Sequence, residues 1–84
     1  MRHLRRRQWR VLDRLARAGE RGRLLSTDEV APGRALSTLR SLERRRYVRL
    51  VDATARPYLW RVTLAGLVVA RAWRARQPDA GGDV

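Results

Sequence analysis

Arg34, Ser37, Thr38, Ser41 and Arg44 are the residues whose types and spacing best suit a chemistry, and that chemistry is the reading of base edges. A guanidinium can form paired hydrogen bonds to guanine O6 and N7, and hydroxyls make softer contacts. Stepping about 100° per residue from Leu39 along a helix places Ala35, Leu36 and Leu42 within roughly 60° of it. Arg34, Ser37, Ser41 and Arg44 then fall on the far side, flanked by Thr38, Arg40 and Arg45. A helix fastened by one face and offering donors from the other fits the major groove of double-stranded DNA. Arg34, Ser37, Thr38 and Ser41 are nearest its N-terminal half and are the candidate base readers; Arg44 reaches a base or a phosphate. Arg40, Arg45, Arg49 and Arg56 border this segment and are candidate phosphate contacts.

Other chemistries lack their residues. The chain has no cysteine, and His3 is its single histidine, set in an arginine-rich terminus. Thiolate metal sites, disulfides and Cys/His nucleophilic pairs are therefore excluded. Asp13, Asp28, Glu29 and Glu43 have capping or ion-pairing explanations, and Glu20, Asp52, Asp79 and Asp83 stand in loops, a strand end and the tail. No phosphate-binding glycine loop is present. The expectation is a non-enzymatic protein with no cofactor and no metal.

Charge favours a polyanionic partner. There are 20 basic residues against 8 acidic ones, a formal +12 in 84 residues, with an isoelectric point near 11.9. All the basic residues are Arg and none is Lys. The choice of Arg over Lys, beside abundant Ala, Val and Gly, is what codon bias in a GC-rich genome would produce; the excess of positive over negative charge is not. The opening M-R-H-L-R-R-R resembles the start of a signal peptide, but Gln8, Arg10, Asp13 and Arg14 interrupt any apolar run. No stretch approaches the roughly 18 apolar residues needed to span a bilayer, so a soluble, cytoplasmic protein is expected.

The elements that must position these residues follow from period and punctuation. Trp9, Leu12, Leu15 and Ala16 share one face of a first helix over about Leu4 to Ala18, with Arg6, Arg10, Arg14 and Arg17 opposite and Gly19 and Gly22 ending it. Asp13 and Arg17 are spaced for an ion pair. Arg23 to Leu25 suits a brief strand. In S-T-D-E, Ser26 and Glu29 form a capping box for a short helix, Thr27 to about Ala31, stopped by Pro32 and Gly33. The recognition helix runs from roughly Gly33 to Arg45. The period then changes to 2: Val48, Leu50 and Asp52 alternate with Arg49 and Val51, and Tyr58, Trp60 and Val62 with Leu59, Arg61 and Thr63. A-T-A-R-P between them makes a hairpin turn carrying Arg56, for a phosphate or the minor groove. Thr63 caps a last helix, Leu64 to about Arg76, and Q-P-D-A-G-G-D-V (77–84) is expected to be a disordered tail. One domain over 1–76 results, mainly α with a small β-hairpin.

The order helix, strand, helix, helix, hairpin, helix resembles a winged helix-turn-helix. Leu39-x-x-Leu42-Glu43-x-x-x-Tyr47-Val48 is similar to the recognition-helix ending of MarR- and PadR-type regulators, and Arg61-Val62-Thr63-Leu64-Ala65-Gly66 to the L-T-x-x-G that leaves their wing. Together the matches cover about 70 residues. The resemblance implies a transcription regulator, most simply a repressor. Arg46 stands where that pattern has glycine; a left-handed backbone there would cost about 1 kcal/mol, and otherwise the helix leaves differently. The chain ends soon after its fourth helix, so no separate sensing domain and no small-molecule effector are expected.

The last helix is apolar nearly all round. Leu64, Leu67 and Val68 are expected to face the domain's own core, leaving Val69 and Trp73, with Ala65 and Ala70 alongside, for the interface of a homodimer. Two other readings share the same features: a basic architectural protein coating nucleic acid without specificity, and an adaptor that docks a protein partner.

Overall fold

The computed structural model describes residues 4–30, 36–54 and 56–76. Its elements are α1 (Arg6–Glu20), β1 (Leu25–Ser26), α2 (Thr27–Val30), α3 (Leu36–Arg44), β2 (Val48–Asp52), β3 (Leu59–Val62) and α4 (Leu64–Arg76). The strands form an antiparallel sheet in the order β1-β3-β2. Helices α1, α3 and α4 pack about a core that includes Leu12, Leu15, Leu39, Leu42, Val48 and Trp60. This is a winged helix.

Each boundary has a local cause. Helix α1 ends in a Schellman motif: Gly22 has φ +71°, the Arg23 N–H donates to the Ala18 carbonyl at 2.8 Å and the Gly22 N–H to that of Gly19 at 3.0 Å. Gly19 thus lies inside the helix and only Gly22 stops it. The capping box of α2 is present, with the Ser26 N–H donating to Glu29 Oε1 at 2.9 Å and the Glu29 N–H to Ser26 Oγ at 3.3 Å. The Ser26 backbone N–H holds the Glu29 carboxyl below its ordinary range. Thr63 Oγ1 accepts from the Gly66 N–H at 3.1 Å, and α4 spans the segment that the sequence assigns to it.

The strands keep the expected alternation, with Val48, Trp60 and Val62 inward and Arg49 and Arg61 outward. Arg49 is paired directly with Arg61 across the ladder, and the register shifts between Leu50 and Asp52, leaving Val51 as a bulge. Helix α1 is tied to α4 by ion pairs: Arg74 to Asp13 at 2.8 Å and Arg71 to Glu20 at 2.9 Å. Arg71 holds the Glu20 carboxyl below its ordinary range. The expected Asp13–Arg17 pair is also formed, at 2.9 Å.

Two expectations about packing are corrected. Leu64 and Val68 do not face the core; they are 78% and 60% exposed. The opposite arc is the buried one: Ala70 is fully buried, Val69 packs against the core, and Trp73 stacks on Trp9 of α1 with ring centroids 5.0 Å apart. The cause is close approach. Gly66 and Ala70, one turn apart, are the small residues that let α4 lie against the body of the domain.

Arg46 has φ +64°, the left-handed alternative. It is the C′ residue of a second Schellman motif: its N–H donates to the Glu43 carbonyl at 2.8 Å, and the Tyr47 N–H to that of Leu42 at 3.1 Å. Arg46→Gly is therefore expected to raise stability by up to about 0.5 kcal/mol, the left-handed penalty less glycine's greater freedom in the unfolded chain. Chemical denaturation checks this; a lowered midpoint would mean that the arginine side chain contributes more than its backbone costs.

Candidate nucleic-acid interface

Helix α3 is fixed at three points. Leu39 and Leu42 are buried in the core. On one flank, Gln8 of α1 donates through Nε2 to Ser41 Oγ at 2.8 Å, while its Oε1 accepts the Arg5 N–H at 2.8 Å. At the C-terminal end the Arg46 carbonyl accepts from Thr63 Oγ1 at 2.7 Å, and the Thr63 N–H donates to the Tyr47 carbonyl at 3.0 Å. The helix is held by α1, the core and the start of α4.

This attachment sets which side chains remain outward. Ser37, Arg40 and Arg44 are exposed on α3, as are Arg49 on β2 and Arg56 in the wing. Arg45 is half-buried. Arg34 and Ala35 lie outside the described residues, as do the turn at Pro32 and Gly33 and the tail at 77–84.

Two of the proposed base readers turn inward. Thr38 is only 7% exposed. Ser41 is half-buried; besides accepting from Gln8, it donates to the Thr38 carbonyl at 2.8 Å. Conversely, Leu36 is 42% exposed although the helical wheel put it in the apolar stripe. One rotation explains all three. The buried arc runs from Thr38 through Leu42 to Leu39, so its centre lies nearer Leu42, roughly 50° from where the wheel placed it. Leu36 then moves to the rim at the helix N-terminus, where an apolar side chain suits a thymine methyl.

Two aromatic side chains, Trp60 in β3 and Tyr58 just before it, lie against cations. The Arg40 guanidinium lies 5.7 Å from the ring centroid of Trp60 and 6.0 Å from that of Tyr58, and it donates to Glu43 at 3.1 Å. Arg56 lies 4.9 Å from the Tyr58 centroid. Trp60 is fully buried and donates from Nε1 to Thr27 Oγ1 at 2.9 Å. Thr27 in turn donates to the Tyr58 carbonyl, through N at 2.9 Å and Oγ1 at 3.3 Å. Sequence reasoning missed Tyr58, Arg61 and Gln8. For Arg61 a signal existed: its register opposite Arg49 sets two like charges face to face, an arrangement that weakens a sheet unless an anion or solvent intervenes.

Among the described residues, no helix is long and apolar enough to cross a membrane. No family model matches the sequence, and no curated protein matches it. Among solved structures, the fold is similar to that of a double mutant of ZitR from Lactococcus lactis, with a TM-score of 0.69 at 21% identity, over 88% of this chain and 53% of that one. The present chain therefore spans about half the length of that protein. At this identity the likeness is one of fold, and it places the described elements in the winged-helix architecture that the two sequence motifs imply.

Proposed function

We propose that this protein is a non-catalytic, sequence-specific regulator of transcription that binds double-stranded DNA, most simply as a repressor occluding a promoter. One observation carries the reading: the exposed face of α3 and the wing form a shared cationic surface, with Arg40 of the helix and Arg56 of the wing both within 6.0 Å of one tyrosine ring centroid. Ser37 and Leu36 stand on the same helix where base edges would lie, and Arg44 and Arg49 extend the surface. Arg34 remains the candidate for paired bonds to guanine. Selection of bound duplexes from a random pool tests the proposal. A recovered motif that binds at least about tenfold more tightly than random duplex near physiological salt supports it. Recovery of no motif, with random duplex still bound, favours the architectural reading; absence of duplex binding favours the adaptor.

The reading includes a homodimer, with its contact moved from Val69 and Trp73 to the exposed arc of α4. Leu64 and Val68 are one turn apart there, and Leu24 borders the same groove beside Leu64. A two-fold axis would set two recognition helices against successive major grooves, giving an inverted repeat with half-sites about 10–10.5 base pairs apart. Arg61 is exposed and lines the same groove, so added salt should screen its repulsion and strengthen self-association while it weakens DNA binding. Val68→Glu is expected to give a folded monomer with sharply reduced affinity. Val68→Arg, which adds positive charge, should do the same, separating lost assembly from lost attraction. Sedimentation at micromolar concentration reads the state directly; a wild-type monomer whose DNA binding both substitutions spare would overturn the dimer.

A further inference from the structure

We propose that Tyr58 is a positioning residue of the DNA interface, its ring gathering Arg40 of α3 and Arg56 of the wing into one clamp for a backbone phosphate. The inference rests on the DNA-binding reading above and adds a device to it. Two guanidinium groups repel each other, and two long side chains lose rotamer freedom when held in one place. A ring offering its negative face to both offsets part of that cost. Here the Arg56 guanidinium is 4.9 Å and the Arg40 guanidinium 6.0 Å from the Tyr58 centroid.

The platform is itself anchored. Tyr58 packs against the core, and its carbonyl accepts two hydrogen bonds from Thr27 at the start of α2. Arg40 has a second support, the Trp60 ring at 5.7 Å, together with its bond to Glu43. No second support of that kind is seen for Arg56 among the described ring contacts and ion pairs. Tyr58 therefore matters most for the wing arginine: it keeps Arg56 beside the recognition helix, where a phosphate bridging helix and wing meets two charges at once. Phosphate contacts carry no sequence information, so the clamp should act alike on every duplex.

The test uses the full chain and a random-sequence duplex of about 20 base pairs, long enough to span two half-sites one helical turn apart. Arg40→Ala and Arg56→Ala are measured singly and together. The expected result is non-additivity: each single change costs several-fold in affinity, and the double change costs less than the product by at least about threefold, the scale of coupling between groups that share a partner. Tyr58→Leu should weaken binding about three- to tenfold, the worth of one or two such ring contacts. In that background Arg56→Ala should cost less than about twofold, because the arginine is no longer held. Tyr58→Phe, which keeps the ring, should bind like the wild type. A purely structural role for Tyr58 would not move the arginine coupling. Additive losses from the two arginines overturn the clamp even if Tyr58→Leu fails to fold, and leave the DNA-binding reading standing. Absence of duplex binding by the unaltered chain overturns both.

Discussion

The affinity of this protein for its preferred duplex is expected to fall about 10³–10⁵-fold between roughly 50 and 200 mM salt. The size of the effect follows from counting cations at the interface. Arg40, Arg44, Arg49 and Arg56 are exposed along α3, β2 and the wing of each protomer. The proposed dimer would bring twice that number, within the range of on the order of 6–10 phosphate contacts that gives so steep a dependence. Each neutralised phosphate releases condensed counterions and contributes about −0.9 to the slope of log affinity against log salt. A monomer using four arginines would lose only about a hundredfold over the same interval. The slope therefore reports assembly as well as charge, and Val68→Glu should reduce it by about half. Fluorescence anisotropy on specific and random duplexes measures it. A slope near zero would mean that the formal +12 of this chain is not directed at nucleic acid.

The path from sequence to structure was clear where the signal is local and obscure where it depends on phase. Ser26 with Glu29, and Thr63 with the N–H of Gly66, are short-range hydrogen-bond devices, and they fixed the starts of α2 and α4. Alternation was enough for β2 and β3, since one face of the sheet is buried and the period of 2 leaves a single choice of side. Helix α4 offered no such choice. With apolar residues nearly all round, its periodicity cannot say which arc is inward, and hydrophobicity pointed to Leu64 and Val68. The informative residues were the small ones, Gly66 and Ala70, because tight packing selects for absence of side chain. In α3 the error was a modest rotation, but it was enough to exchange Thr38 and Leu36 between the inner and outer faces. Gln8, which fixes Ser41 from 33 residues away, has no local signature at all.

Gly66 joins the presentation of α3 to the docking of α4. Gly66→Ala is expected to destabilise the protein by about 2–3 kcal/mol, despite alanine's better helix propensity. A Cβ at this position would collide with the carbonyl oxygen of Tyr47 and lie 2.9 Å from both the Tyr47 carbonyl carbon and Val62 Cγ2. That carbonyl cannot move freely. It accepts the Thr63 N–H at 3.0 Å, and the preceding Arg46 carbonyl accepts from Thr63 Oγ1 at 2.7 Å. Relief must come from shifting the whole loop that ends α3, so the recognition helix would move with it. In a domain of this size the midpoint of thermal unfolding should drop by about 10–20 °C, and binding to specific duplex should suffer more than binding to random duplex, because base contacts depend on placement more than phosphate contacts do. Gly19 provides the contrast. A Cβ there meets the Cγ1 of Val62, a side chain rather than backbone. Trimming Val62 to alanine should therefore recover part of the loss from Gly19→Ala and very little of the loss from Gly66→Ala. Equal recovery in both double mutants, or a Gly66→Ala midpoint within a few degrees of the wild type, would show that α4 does not sit against the Tyr47 carbonyl and that the end of α3 is held by Thr63 alone.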